Sequence, residues 1–385
     1  MDLPPECLAT IFTFLNVVDL FDMIRVCRTF QNIITNHDEV ASSIIWRFAT
    51  LDNVENGFSC PQPNKRHRMK AEQKVTISVL SVETCLESFG KYMETIVLRL
   101  YPRSFSENVF SHMCTKRNFS HLKSLVLYDL SSTSIEDLPK LAKCTPYLSE
   151  LRLVGCAIDA YTLKNVCRAV GEHLQVLEIG FADERMDEAS SSEPYPTTAV
   201  FSSLKELYLK NVTVNIYSMM NSPTIEVLKM VNCNNAFPQS DFSPNLRYLE
   251  FVGGKYENFD RIFKLNALET LIIDQDQFDC DQDLTKVLKS CHGIQFIDVR
   301  SDKVATAFVP HLFKCEALEY LSVTCKNKNL PLEPLPKSST QPNTSLCYFY
   351  LYGHPSLEQD DVKQNILGYI GDQLVEWDIA EVPPE

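Results

Sequence analysis

The amino-acid sequence predicts an α/β fold in two parts: a short three-helix unit at the N-terminus, then a repeat solenoid, a horseshoe whose concave face is a parallel sheet of about twelve strands. Two observations carry that prediction. The first 46 residues place apolar side chains at helical spacing, and from residue 93 onward the pattern apolar-x-x-apolar-x-apolar recurs to the C-terminus. Composition agrees, since 385 residues at 45% apolar and 22% charged are enough to bury a core in one small and one large domain or in one elongated array.

The N-terminal element opens on Leu3-Pro4-Pro5-Glu6, where proline suits a first helical turn, and Leu8, Ile11, Phe12 and Leu15 follow at i, i+3, i+4 and i+7 as one apolar stripe. Asp19 with Asp22 reads as an N-cap and its acid three residues on; Leu20, Met23, Ile24 and Cys27 then repeat the stripe on a second helix. Thr29, followed by Phe30, Ile33 and Ile34, gives a third. A unit this short buries too little surface to stand alone, so it needs the rest of the chain or another protein against it.

The ordered string Leu3-Pro4-x-Glu6-x-Leu8-x-x-Ile11-x-x-x-Leu15, then Asp19-Leu20, Val26-Cys27-Arg28 and Trp46, resembles the F-box over the first 46 residues, about 12% of the chain. Phe30 stands where a second Trp is common in that family, and Asn16-Val17-Val18 replaces a Pro-containing turn; neither change removes the apolar stripe. The resemblance implies a docking module for the small Skp-type adaptor of SCF ubiquitin ligases, and through it a cullin scaffold. It assigns the adaptor-facing role to Leu3, Pro4, Glu6, Leu8, Ile11, Leu15, Val26 and Cys27.

The repeat units begin at Met93, Leu122, Leu148, Leu174, Leu204, Ile225, Leu246, Leu268, Ile294, Leu318, Leu346 and Leu374. Spacings of 21 to 30 residues average about 25.5, inside the roughly 20 to 29 of leucine-rich repeats. Each period-two strand points its last two leucine-type residues into a core that only a stacked neighbour can cover, so the strands must align in parallel. Helical stretches are expected at Ile135 to Cys144, Ala160 to Val170, Asp283 to Ser290, Val304 to Phe313 and Val362 to Ile370 on the convex side. Pro223, Pro238 and Pro244 make the segment from Leu204 to Leu246 turn-rich instead. Trp377, in place of a leucine, suits a C-terminal cap. The domain boundaries are therefore 1–48 for the helical unit, 49–75 for a polar basic linker, 76–380 for the repeats and 381–385 for a tail.

Two segments break the rhythm. Asp52 to Lys74 carries Lys65-Arg66-His67-Arg68-Met69-Lys70, for which a solvated linker is favoured over the alternative of a nuclear localisation signal, and the acidic, Ser-rich stretch Ala182 to Thr198 reads as a loop. A net charge of −14 argues against nucleic acid as partner. No secretory segment and no run of eighteen apolar residues is visible, so neither a membrane partner nor secretion is expected, and the cytosol or nucleus would keep the fourteen cysteines reduced. No C-x2-C pair marks a zinc site; Cys144, Cys167, Cys291 and Cys315 stand just before repeat strands as small apolar residues. No cofactor is expected. Cys291-His292 lies at a helix end without an orienting third group, and no phosphate loop, dinucleotide fingerprint or H-E-x-x-H helix is present, so the sequence reads as a binding protein without catalytic residues.

Residues flanking the two inward positions of each strand face the concave side. The early units give a mixed-charge set there: Glu150, Arg152, Glu178, Glu206, Tyr208, Lys210 and Lys229. The later units give Tyr248, Phe296, Tyr320 and Tyr348 at the first concave position, Tyr350 and Tyr352 at the next two of one strand, and Asp274, Asp298 and Glu250 between them. Aromatic side chains dominate binding hot spots, and with acids beside them they suit a target segment bearing Lys or Arg. The expected function is a target receptor of a ubiquitin ligase; the rival is a leucine-rich scaffold or inhibitor that holds a protein without leading to its ubiquitylation.

Overall fold

The computed structural model describes residues 4–12, 23, 27–30, 33, 46–48, 90, 93–98, 103–116, 119–131, 135–156, 158, 160–180, 201–212, 222–233, 242–254, 259–276, 278, 282–302, 308–325, 345–353, 357, 359–370 and 374–380. The chain divides into two compact units, residues 1–204 and 205–385. In each, strands adjacent in sequence lie side by side in parallel, the α/β arrangement of leucine-rich repeats.

The first unit runs α1 (Pro5–Phe12), β1 (Trp46–Phe48), β2 (Thr95–Leu98), α2 (Arg103–Lys116), β3 (Ser124–Tyr128), α3 (Leu138–Ala142), β4 (Glu150–Val154), α4 (Ala160–Val170) and β5 (Val176–Gly180). Its register stacks leucine-type residues in rows: Ile96 faces Leu125, Leu125 faces Leu151, and Leu151 faces Leu177. All four are fully buried. Trp46, which the sequence suggests as the close of the helical unit, instead begins β1 and pairs with Ile96. Trp46-Arg47-Phe48 has the aromatic alternation that a strand favours, and β2 offers it an open edge.

The second unit runs β6 (Glu206–Lys210), β7 (Val227–Val231), β8 (Tyr248–Val252), β9 (Thr270–Asp274), α5 (Gln282–Ser290), β10 (Phe296–Ser301), β11 (Tyr320–Cys325), β12 (Tyr348–Tyr352), α6 (Asp360–Ile370) and β13 (Glu376–Ala380). One buried row is Leu207, Leu228, Leu249, Leu271, Ile297, Leu321 and Phe349. The row ends on Trp377, opposite Phe349. Trp377 is 45% exposed while Phe349 is fully covered, so the indole shields the last core layer. Strands β2 to β13 coincide with the twelve repeat units read from the sequence.

Two backbone devices recur along the strands and hold them in register. Just before a strand, two successive N–H groups share one carbonyl of the preceding repeat: Glu319 and Tyr320 donate to the Gln295 oxygen at 2.9 and 3.0 Å, as Gln175 and Val176 do to Ser149 at 2.7 and 3.0 Å. Just after a strand, the chain turns through the left-handed region at Asn211 (φ 54°) and Asn232 (φ 51°), whose N–H groups donate to the last carbonyls of β7 and β8 at 2.8 and 2.7 Å. Asparagine tolerates that conformation where most side chains do not. Buried thiols lie behind these turns: Cys156 donates to the Leu127 carbonyl at 3.4 Å and Cys233 to that of Leu209 at 3.5 Å.

The connections match expectation at α4, α5 and α6. Within the stretch 304–313, expected as helix, the described residues form a 3-10 helix, Val309–Lys314, with Pro310 in its opening turn. Helix α3 is five residues, Leu138–Ala142, against the ten expected, again with proline in its first turn. Helix α2 is an addition: its buried Val109, Phe110, Met113 and Cys114 form a narrow stripe in an otherwise polar run. The expected loop at 182–198, the linker at 52–74, and most of the turn-rich segments 213–221 and 234–241 lie outside the described residues.

Candidate protein-binding surfaces

In the first unit, helix α1 divides the apolar stripe read from the sequence. Ala9 and Phe12 turn inward, at 2% and 3% exposed, while Ile11 remains 46% exposed and Leu8 is half-buried. Phe12 meets Phe30 edge to face at 5.2 Å between ring centroids, and Ile33 is buried as well. These contacts use up one side of the helix. Pro4 and Glu6 are exposed beside Ile11. Cys27 is also exposed, and its sulfur accepts the Phe30 N–H at 3.5 Å, as an N-cap does. Leu3, Leu15 and Val26 lie outside the described residues. Ile11 thus lies on the side of α1 away from the buried Ala9 and Phe12.

The strand face of the same unit pairs its charges internally. Arg152 bridges two carboxylates, Glu150 at 2.5 Å and Glu178 at 2.9 Å. Partial burial works against its charge, but the hydrogen bonds to those two acids outweigh it and hold the guanidinium more firmly protonated than usual.

In the second unit, the register sorts the concave residues into rows across the strands. The first row runs Tyr248, Thr270, Phe296, Tyr320, Tyr348 and Glu376; the second runs Glu250, Ile272, Asp298, Ser322, Tyr350 and Asp378. Five of the six expected aromatic residues form one cluster. Phe296 and Tyr320 stack at 4.2 Å with planes 7° apart, and Tyr320 meets Tyr348 at 6.2 Å and Tyr350 at 5.7 Å. Tyr350 in turn lies 6.2 Å from Tyr352. Tyr348 is exposed, Phe296, Tyr320 and Tyr350 are half-buried, and Tyr352 is buried at 6%. Tyr352 therefore buttresses the cluster from beneath more than it offers contact area.

Tyr248 stands apart from that cluster, separated by Thr270 of β9. Its hydroxyl donates to Glu250 at 2.6 Å, and the Lys229 ammonium lies 4.8 Å from its ring centroid while pairing with Glu250 at 3.0 Å. Tyr248 and Glu250 thus hold a lysine of the chain itself by ring face and charge together, with the Tyr208 ring 6.0 Å away on the other side.

The carboxylates around the cluster are less well served. Burial pushes the Asp298 carboxyl above its ordinary value; Arg300 and Ser322 pull it back, and the nearby Asp274 charge adds to the rise. Its Oδ1 is buried without a hydrogen-bond partner, and Arg300 reaches only the other oxygen, at 3.7 Å. Asp274 is half-buried at the end of β9. Tyr350 is pushed up to about 12, first by desolvation and then by its hydrogen bond to Glu376; Tyr352 is raised likewise by desolvation, the Asp378 charge and a hydrogen bond to Asp378. Among the described residues no Lys or Arg pairs with Glu376 or Asp378.

Glu376, Asp378 and Thr270 were not picked out by sequence reasoning. The first two occupy concave positions of a strand whose Trp377 directs attention to capping, and Thr270 matters only because it is small between two rings. Burial pushes Cys291 up to about 11 and Cys315 up to about 12, which removes both from the reactive thiolate form. Among the described residues no group of three or more His, Cys, Asp or Glu could hold a metal ion, and no helix is long and apolar enough to cross a membrane.

Residues 1–40 match the F-box domain family model. No curated protein matches the chain. Among solved structures, the chain is similar to an internalin from Listeria monocytogenes, with 14% identity over 82% of this chain and 92% of that one and a TM-score of 0.45. It is similar also to a chain in the Rad7–Elc1 complex of yeast, with 12% identity, 89% and 92% coverage and a TM-score of 0.42. A leucine-rich-repeat protein of Leptospira interrogans gives 12% identity, 69% and 91% coverage and a TM-score of 0.28. Residues 1–40 thus carry the F-box match, and the parallel strands described above have the arrangement of leucine-rich repeats.

Proposed function

We propose that this chain, which joins an F-box domain to leucine-rich repeats, is the substrate-recognition subunit of an SCF-type cullin–RING ubiquitin ligase. The F-box would dock on a Skp-type adaptor and the repeats would hold the protein to be ubiquitylated, in the cytosol or nucleus. The observation that carries the reading is the F-box match at residues 1–40 on a chain whose later residues form repeat strands with a half-exposed aromatic cluster. The chain contributes no chemistry. A receptor of this kind raises the effective concentration of a target beside a ubiquitin-charged enzyme carried elsewhere in the assembly.

Ile11 is the residue through which the docking half is best tested. It is exposed and apolar, and aspartate there would set a charge in any apolar contact while leaving Phe12 and Ala9 in place. Purified full-length chain should bring down adaptor and cullin; Ile11→Asp, like deletion of residues 1–48, should abolish both while leaving the far-ultraviolet circular dichroism of the point variant unchanged. Retention of the adaptor by the deleted chain, or an intact chain that never recruits it, would overturn the reading in favour of a scaffold.

A further inference from the structure

We infer that the second unit carries a slot for one arginine side chain of its target, over Thr270 and between the rings of Tyr248 and Phe296. The inference deepens the reading above and rests on it for the claim that a target lies on this face.

The register sets Tyr248, Thr270 and Phe296 side by side on three consecutive strands. Two strand spacings put the two aromatic residues about 9.5 Å apart, and a planar group between two rings needs about 7 to 8 Å. The outer face of each ring is already taken. Tyr320 covers Phe296 at 4.2 Å from β11, and Lys229 of β7 lies over Tyr248 at 4.8 Å. The remaining faces look toward Thr270, whose short side chain fills little of the interval.

Charge specifies the occupant. Each wall carries a carboxylate two residues further along its strand, Glu250 beyond Tyr248 and Asp298 beyond Phe296, and these share the next row. Glu250 is engaged by Lys229 and the Tyr248 hydroxyl, yet Asp298 Oδ1 is buried with no hydrogen-bond partner. A guanidinium answers both halves of the site: it is planar and weakly hydrated, so it stacks between rings, and its fork of N–H donors can reach an acceptor at the edge of the stack. An ammonium is compact, strongly hydrated and without a stacking face. Lys229 shows how this sheet holds one: its ammonium pairs with Glu250 at 3.0 Å and lies 4.8 Å from the Tyr248 ring centroid, with the Tyr208 ring further off at 6.0 Å.

The test uses the full-length chain as bait for a displayed random dodecapeptide library, followed by fluorescence anisotropy of the selected peptides. Arginine should be enriched, and replacing the selected arginine by citrulline should weaken binding by about tenfold or more, as should Asp298→Asn in the protein. Thr270→Trp fills the slot and should abolish the arginine preference, while Thr270→Ser should keep it and so control for the fold. Equal enrichment of lysine and arginine would overturn the inference. Binders without basic residues that are lost on Tyr320→Ala would also overturn it, while leaving the target surface intact. A library yielding no binder dependent on Tyr320 or Phe296 would overturn both.

Discussion

Replacing Asp298 with asparagine changes one charge on a side chain of nearly the same shape, and the structure gives that change two effects of opposite sign. The side chain is 19% exposed, and its Oδ1 has no hydrogen-bond partner. A buried acceptor left unmet costs about 1 to 3 kcal/mol, more when charged, and a neutral amide carries less of that penalty. Against this stands the pair with Arg300, at 3.7 Å with Arg300 57% exposed, an interaction worth at most about 1 kcal/mol. The variant should therefore be more stable by about 1 kcal/mol at pH 7. Its pH dependence follows from the raised carboxyl. Because the folded value lies above the ordinary 3.8, the stability that Asp298 contributes is complete below that pH and is lost as the pH climbs through the folded value. Asparagine escapes that loss, so its advantage is full at pH 7 and vanishes toward pH 3. The chain has two tryptophans, Trp46 and Trp377, so urea titrations in a Trp46→Phe background report on the second unit through Trp377 alone. A variant less stable than its parent at pH 7, or one whose gain is the same at both ends of the pH range, would refute the reasoning. Weaker arginine binding beside higher stability would separate the carboxylate's role in recognition from any role in folding.

Leu321, fully buried midway along β11 between Ile297 and Phe349, should lose about 2 to 5 kcal/mol on conversion to alanine, read by the same urea titration. Cys291 and Cys315 are fully buried and pushed up to about 11 and about 12, so iodoacetamide at pH 8 should label them only after unfolding, as mass spectrometry of the digested chain would show. The exposed Cys7 and Cys27 of the F-box domain should label at once in the isolated chain and be protected when the adaptor is bound.

The strands were legible because their period of two, anchored on leucine, has no competing explanation at a spacing near 25 residues, and because one strand's apolar face requires the next. Where that signal is missing the sequence says less. The strand at Trp46–Phe48 is three residues without a leucine motif, and it exists because β2 has an edge to fill. The α2 helix hides a narrow buried stripe, Val109 to Cys114, in polar sequence. The concave rows could be read from alternation alone, which is why Tyr248, Phe296, Tyr320, Tyr348 and Tyr350 were identifiable as facing one way. Their grouping was not. Which rings stack, which acid a neighbouring lysine already occupies, and which oxygen is left alone depend on rotamers and on the residue one strand over, and periodicity carries no information about either.

Tyr320 and Leu321 show why such a surface can specialise without endangering its scaffold. The two are adjacent in sequence, but the leucine points into layers that hold β10, β11 and β12 together, while the half-buried tyrosine rests on Phe296 on the opposite face. Stability is carried by the buried alternate positions and by backbone bonds such as those from Glu319 and Tyr320 to Gln295, none of which depends on the concave side chains. The outward alternate positions are thus released from folding and left to recognition. In a parallel repeat sheet they also gather residues some 24 to 28 positions apart into one row, as Phe296, Tyr320 and Tyr348 are. Selection on single concave residues can then tune a partner site strand by strand. Asp298 is the exception, an outward residue 19% exposed whose Oδ1 goes unmet within the chain, so its carboxylate bears on stability as well as on any contact made at this face.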